Sequence, residues 1–337
     1  MPRESAAPPS RVAVVGDGGW GTALAAVLCG RGVETRLWSR DAAYAAEMRG
    51  SRRNPRFLPG VTIPAGVRVT ADAAEALDGA GLVVSAVPAQ FLRATWTALA
   101  PALPPRVPVC SVTKGIEVGT SAFPTAVLAA TLGRRPLAVL SGPSHAEEVA
   151  RGLPATVVAA SRSASLARTV QALFSTERFR VYTRRDVVGV ECAGAAKNVV
   201  AIAAGIGDGL GLGDNCKAAL VVRGSVEIAR LGRRLGASEA TFHGLAGIGD
   251  LLVTCASRHG RNRAVGERIG RGERLDDVLA SMEMVAEGVP TTRAIVDLAR
   301  RRRVEMPIAE EVHRVLFEGK DPRTAVADLM RRALRGE

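Results

Sequence analysis

The sequence predicts an α/β fold in two parts, a mainly parallel β-sheet domain at the N-terminus and an all-α domain at the C-terminus. Three observations carry this. β-rich apolar runs alternate with helix-prone stretches from Arg11 to about Asp186, and such alternation implies a sheet covered by helices on both faces. Beyond Asp186 the β-rich runs stop and only helix-like segments broken by glycine remain. The length of 337 residues suits two domains at roughly 150 residues each.

Taken in order, Arg11–Val15 reads as the first strand, followed by a Gly-rich turn and the helical stretch Trp20–Cys29. Glu34–Trp38 and a helix from Asp41 complete a strand–helix–strand unit. Further strand-like runs are Val67–Thr70, Leu82–Val87, Val107–Val112, Leu137–Ser141, Thr156–Ala160 and Phe179–Tyr182. The helices expected in the second half are Val190–Ile206, Asn215–Leu235, Ala240–Cys255, Leu275–Ala280, Pro290–Arg302 and Pro307–Phe317. The domain boundary is placed near residue 187, giving a sheet domain over 11–187 and a helical substrate and catalytic domain over 188–337. Residues 1–10, rich in Pro, Ala and Ser, are expected to form a disordered tail without a signal-peptide core.

Composition narrows the function classes. The net charge of +12 comes almost wholly from arginine, because only Lys114, Lys197, Lys217 and Lys320 are lysines. Apart from 300–303 the arginines are dispersed, so the charge reads as a surface bias that attracts anionic metabolites rather than as a nucleic-acid interface. No unbroken apolar run reaches 18 residues, and no membrane insertion is expected. Cys29, Cys110, Cys192, Cys216 and Cys255 are odd in number and scattered. That pattern gives no metal-ligand spacing and suits reduced thiols in the cytoplasm.

The turn after the first strand, Gly16-Asp17-Gly18-Gly19-Trp20-Gly21, satisfies G-x-G-x-x-G with glycines at 16, 18 and 21. Gly16 permits the tight turn, Gly18 lets a pyrophosphate approach the backbone, and Gly21 lets the helix pack on the strand. The helix N-terminus offers free N–H groups to the phosphates. A preceding strand and a following helix give the motif its proper context and make the domain Rossmann-type; without a ligand it would be only a Gly-rich turn. Where NAD sites commonly carry an acidic residue after the second strand, this chain has Ser39-Arg40. An arginine there can face a 2′-phosphate, so NADPH or NADH is expected, with NADPH favoured; alternatively Arg40 stacks on adenine or faces solvent.

Longer segments are more specific. Gly19-Trp20-Gly21-Thr22-Ala23, the run 54–60 (NPRFLPG), the run 111–115 (SVTKG) and the run 140–146 (LSGPSHA) stand in the first half. The runs 191–199 (ECAGAAKNV), 247–251 (GIGDL), Arg261-Asn262 and 285–288 (VAEG) stand in the second. Together, and in this order from about residue 11 to 330, they resemble the bacterial NAD(P)-dependent glycerol-3-phosphate dehydrogenases. The resemblance implies reversible reduction of dihydroxyacetone phosphate to sn-glycerol 3-phosphate, feeding phospholipid synthesis, and a homodimer. It makes Lys197 the proton donor and acceptor. It puts Lys114, Gly142, Ser144, Asp250, Arg261 and Asn262 on substrate-contacting positions, and Gly19, Trp20, Arg40, Ala146, Val285 and Glu287 on cofactor-contacting ones; Lys114 and Arg261 are taken to serve both. Two positions depart from the family: serine is common where Gly260 stands, and small residues are common where Asp17 stands.

The residues themselves carry the same chemistry. Lys197 sits in an apolar helix-prone run, where an ammonium is costly unless paired or able to snorkel out. Ketone reduction needs a proton beside a hydride, and a lysine ammonium supplies one and steadies the developing alkoxide. Asp250 and Thr254, four apart, share a face if that segment is helical; Asp250 can orient Lys197 or accept a substrate hydroxyl proton, or merely cap a helix after Gly249, and Thr254 can add a hydroxyl contact. Arg261 beside Asn262 suits a phosphate group, unless it is only a solvated arginine. Gly260 can still offer its N–H, and Lys114 follows a strand end, where ligands gather in such sheets. A two-domain β-hydroxy-acid dehydrogenase and a nucleotide-binding protein without chemistry remain alternatives from the residues alone.

Overall fold

A computed structural model describes residues 8–257 and 260–333. The chain forms two compact units: one holds the described residues through Lys114 together with Phe123–Val190, the other Gly115–Ala122 and the described residues from Glu191 onward. The excursion Gly115–Ala122 thus belongs with the helical unit although it lies inside the sequence of the first. The tail expected at 1–10 falls on residues 1–7, which lie outside the described residues, and on 8–10, of which Ser10 already accepts the Glu34 N–H at 2.9 Å.

The strands of the first unit are β1 (Arg11–Val15), β2 (Glu34–Trp38), β3 (Arg53–Asn54), β4 (Leu58–Thr62), β5 (Val67–Thr70), β6 (Leu82–Ser85), β7 (Val109–Ser111), β8 (Leu137–Ser141), β9 (Ala155–Ala160) and β10 (Phe179–Arg184). Its helices are α1 (Gly19–Gly30), α2 (Ala42–Ser51), α3 (Ala73–Leu77), α4 (Ala89–Leu99), α5 (Pro124–Leu132), α6 (Ala146–Ala150) and α7 (Ala164–Phe174). Eight strands form one sheet in the order β10-β9-β8-β7-β6-β1-β2-β5. All neighbours are parallel except β8 and β9. Burial on both faces explains the unbroken apolar runs: Val12 to Val15 are fully buried, as are Leu82, Val83 and Val84. After β1 the chain moves to β2 on one side and later returns to β6 on the other, so strand order reverses between β1 and β6. Open α/β sheets bind ligands at the carboxyl ends of the strands at such a point.

Two expected strands are shorter than the apolar pattern suggested. The strand at Val107–Val112 is only Val109–Ser111, since Pro108 has no N–H for the ladder. The run Leu82–Val87 ends at Ser85; Pro88 beyond it has no N–H to carry the ladder on and stands at the N-cap of α4. The hairpin β3–β4 was not anticipated, because Pro55, Pro59 and Gly60 interrupt its alternation.

The second unit contains most of α8 (Val187–Gly209), then α9 (Gly213–Arg234), α10 (Glu239–Phe242), α11 (Asp250–Ala256), α12 (Arg261–Gly270), α13 (Leu275–Ala280), α14 (Gly288–Arg302), α15 (Pro307–Phe317) and α16 (Pro322–Met330). The single helix expected over Ala240–Cys255 is broken: a π-type turn at Leu245–Gly249 separates α10 from α11. A side chain at Gly247 would run into the Phe242 backbone, which fixes glycine in that turn. α12 escaped the pattern reading because its buried apolar positions reduce to Val265 and Ile269 among charges and glycines; α16 was likewise missed. α8 holds an 18-residue stretch apolar enough to cross a membrane, yet 83% of that stretch is buried inside the protein. It is therefore a core helix.

Glu227 on α9 is an acidic residue on a buried stripe with Val221, Gly224, Ile228 and Leu231. Its carboxylate accepts the N–H groups of Ile308 (2.9 and 3.1 Å) and Ala309 (3.5 Å) at the start of α15. It also borders a cavity of about 730 Å³ whose lining includes Arg230, Arg332 and Glu311. Burial outweighs these hydrogen bonds and the two arginines and pushes its carboxyl up to about 7 from 4.5. The folded state therefore binds this proton more tightly than the unfolded chain. The contribution to stability is full below pH about 4.5 and is lost as pH rises through about 7, amounting to about 3 kcal/mol. Urea unfolding of Glu227→Gln between pH 5 and 8 should show that slope flattened; an identical slope in both proteins would assign it elsewhere.

Candidate functional site

The Gly-rich turn sits where the topology places a ligand. Gly16 donates its N–H to the Trp38 carbonyl at 3.1 Å and has φ +111°, and a Cβ there would meet the Ala86 carbonyl at 2.8 Å. A Cβ at Gly21 would overlap the Gly16 carbonyl, so α1 can leave β1 this closely only with glycine there. At Gly18 a Cβ would meet nothing within 4 Å. Gly18 is also the N-cap of α1, with no side-chain cap and no acidic residue in the first turn. The open face, the uncapped N–H groups and the buried, unpartnered indole Nε1 of Trp20 fit a bound pyrophosphate.

Asn54 fixes this loop. Fully buried, it donates through Nδ2 to the Asp17 carbonyl at 2.7 Å and to Thr22 Oγ1 at 2.8 Å. Its Oδ1 accepts from the Tyr44 hydroxyl at 2.6 Å and from the Phe57 N–H at 3.1 Å. In the sequence Asn54 stands out only as part of the run 54–60; a polar residue ahead of Pro55 is the available signal for a loop-fixing role. The Asp17 carboxylate meets the residue after β2, where Ser39 Oγ donates to its Oδ2 at 2.7 Å. Burial raises its carboxyl above the usual aspartate value; the Ser39 hydroxyl and Arg40 act in the opposite sense, and Asp41 in the same one. Arg40 is exposed.

Also in the first unit, Lys114 beyond β7 donates to the Gly142 carbonyl at 2.8 Å and to Ser144 Oγ at 3.5 Å. Gly142 has φ +139°, and a Cβ there would sit 3.0 Å from Val157 Cα. These three residues form one polar group. Ala146 opens α6, and its Cβ lies 3.6 Å from the place a Cβ would occupy on Gly19.

In the helical unit Lys197 projects from α8 to Asp250 and Thr254 on α11. Lys197 Nζ is 2.6 Å from Asp250 Oδ1 and 2.6 Å from Thr254 Oγ1, while Thr254 Oγ1 also donates to the Asp250 carbonyl at 2.6 Å. The relative exposures of the three residues are 6%, 1% and 6%. Lys197 therefore does not snorkel to the surface, and the Asp250 side chain is committed to an ion pair rather than to capping. The spacing of four between Asp250 and Thr254 delivers both groups to one amine.

The last group surrounds the start of α12. Gly260 is its N-cap, and a Cβ there would meet the Thr254 carbonyl at 3.1 Å, so the serine common in the family would be tightly held. Arg258 and His259 lie outside the described residues. Arg261 is exposed and donates to the Val285 carbonyl at 3.0 Å. Asn262 is buried, and its Oδ1 accepts the Gly288 N–H at 2.8 Å. That amide oxygen thus joins the start of α12 to the start of α14. Val285 is 38% exposed, and partly buried Glu287 holds the N-cap position of α14.

Comparison with known proteins agrees with both halves. Residues 11–167 match the family model of the NAD-dependent glycerol-3-phosphate dehydrogenase N-terminus, and residues 186–327 that of the C-terminus. Glycerol-3-phosphate dehydrogenase (NAD(P)+) 2 of Salinibacter ruber is 51% identical over 97% of this chain and 96% of its own length. The glycerol-3-phosphate dehydrogenase (NAD(P)+) of Chlorobium limicola is 49% identical over 97% and 99%. A crystal structure of glycerol-3-phosphate dehydrogenase from Coxiella burnetii superposes with a TM-score of 0.93 at 37% identity, covering 96% of this chain and 99% of that one. The chain belongs to the NAD-dependent glycerol-3-phosphate dehydrogenase family.

Proposed function

We propose that this protein reduces dihydroxyacetone phosphate to sn-glycerol 3-phosphate, reversibly, with NADPH or NADH. The observation that carries the chemistry is the buried Lys197 amine held by Asp250 and Thr254. The cofactor supplies the hydride; a ketone also requires a proton at its oxygen. Lys197 Nζ gives that proton in reduction and takes it back in alcohol oxidation. Asp250 orients the amine and Thr254 adds a hydroxyl contact. In the first unit Gly16, Gly18, Gly19, Trp20 and Gly21 hold the dinucleotide phosphates, Arg40 meets the adenosine end and favours NADPH, and Ala146 lies alongside. In the helical unit Val285 and Glu287 are assigned to the cofactor. Lys114, Gly142, Ser144, Gly260, Arg261 and Asn262 bind the substrate, with Lys114 and Arg261 also touching the cofactor. The glycerol phosphate formed supplies phospholipid synthesis. Five cysteines without disulfides among the described residues support a cytoplasmic protein. We place it there as a homodimer, with no membrane or nucleic-acid partner.

The deciding assay follows NADPH and NADH oxidation with dihydroxyacetone phosphate; absence of substrate-dependent oxidation with either cofactor would refute the reaction. Arg261 tests phosphate recognition. Its exposed guanidinium is anchored on one nitrogen by the Val285 carbonyl, which leaves the rest of the fork for an anion. Arg261→Ala should raise KM for dihydroxyacetone phosphate by about 30-fold or more, the scale of a lost charge-assisted hydrogen bond, with a smaller change in kcat. An unchanged KM would remove Arg261 from the phosphate site.

A further inference from the structure

We infer that Asp17 is a cofactor-specificity residue, a carboxylate placed in the Gly-rich turn that disfavours a 2′-phosphate and opposes Arg40. This rests on the dinucleotide-binding reading above.

In nicotinamide-binding sheets of this kind the residue after the second strand selects the cofactor: an acidic side chain takes the ribose 2′-hydroxyl, and an arginine accommodates a 2′-phosphate. Here that place is held by Ser39, buried, and Arg40, exposed. Read from the second strand alone, the site therefore selects the phosphorylated cofactor. The structure brings a carboxylate to the same place from β1. Asp17 Oδ2 accepts the Ser39 hydroxyl at 2.7 Å, so the acidic group stands at the end of β2 although its residue belongs to the Gly-rich turn.

Three further contacts make the placement rigid. The Asp17 carbonyl accepts Asn54 Nδ2 at 2.7 Å and Thr22 Oγ1 at 3.1 Å, which fixes the backbone from which the carboxylate projects. Ser39 is held in turn, its N–H donating to the Thr70 carbonyl at 3.0 Å. Among the described residues Ser39 is the side chain that donates to the Asp17 carboxylate, and the Arg40 charge acts on it in the opposite sense to burial. A carboxylate held in a partly buried pocket repels a second anion more strongly than one in free water and can accept a ribose hydroxyl. Arg40 attracts a 2′-phosphate while Asp17 repels it, and the balance of the two sets the ratio of NADPH to NADH use.

The test uses the full chain with Asp17→Asn, which keeps size and hydrogen-bonding capacity, and Asp17→Ala. Calorimetry gives Kd for adenosine 2′,5′-bisphosphate and for adenosine 5′-monophosphate, and steady-state kinetics give kcat/KM for NADPH and NADH. The proposal expects the preference for the bisphosphate over the monophosphate to rise about tenfold or more in both variants, with the NADPH/NADH ratio moving the same way. Preferences within twofold of wild type in either folded variant would overturn it. Wild-type protein that binds these nucleotides but never oxidises NADPH or NADH with dihydroxyacetone phosphate would refute the proposed reaction, while the binding ratios still decide Asp17. If one variant fails to fold, the other supplies the ratio.

Discussion

Replacing Lys197 by alanine is expected to lower turnover by about 10²–10⁴-fold, the usual contribution of a positioned proton donor. The same change should destabilise the protein by about 3–5 kcal/mol. Both effects arise from one geometry. Lys197 Nζ lies 2.6 Å from Asp250 Oδ1, with 6% and 1% of the two residues exposed, so deleting the amine takes the counter-charge from a buried carboxylate. The two effects can be separated. A Lys197→Met, Asp250→Leu pair removes both charges and keeps most of the volume, and replacing a buried ion pair by apolar groups is commonly neutral or stabilising. The double variant should therefore regain most of the unfolding free energy in urea and none of the turnover. Near-wild-type kcat in Lys197→Ala would dismiss this residue as the proton source. Full activity in the stable double variant would do the same.

Gly21→Ala should weaken NADH binding by about tenfold or more. It should also lower unfolding stability by about 1–3 kcal/mol, the scale of overpacking. A Cβ at position 21 meets the Gly16 carbonyl on one side and Ala86 Cβ at 3.1 Å on the other. Backbone cannot yield as a flexible side chain can, so α1 must move away from β1 and take its N–H groups with it. Gly18→Ala provides the contrast, since its Cβ meets nothing within 4 Å. It should leave thermal stability nearly unchanged and weaken NADH binding through direct obstruction of the phosphates. Fluorescence titration with NADH and thermal melts read both quantities. If Gly21→Ala matched wild type in affinity and melting, the close packing of helix on strand would not be what holds the phosphate site.

Much of the first unit was legible because a strand buried on both faces must be apolar along its length. β5 and β8 fall on the expected residues, and Leu275–Ala280 and Pro307–Phe317 likewise match α13 and α15. Reading was poorest where local pattern and tertiary packing part company. The hairpin β3–β4 carries two prolines and a glycine, and α12 is mostly charge, so neither shows a hydrophobic period. The break between α10 and α11 depends on a close approach to the Phe242 backbone that no periodicity records.

The sequence by itself determined the α/β and all-α halves, the Gly-rich turn and the family, because those rest on residue order and on the steric demands of individual glycines. It also singled out Lys197, since a scarce lysine among alanines and valines needs a reason. Only the tertiary structure decided what Lys197 is paired with, that the Asn262 amide oxygen serves the packing of α12 on α14, and that the Asp17 carboxylate is delivered to the end of β2. Each of these is a contact between groups distant in the chain. Its energy depends on which charges and dipoles share a buried pocket, and spacing along the sequence does not carry that information.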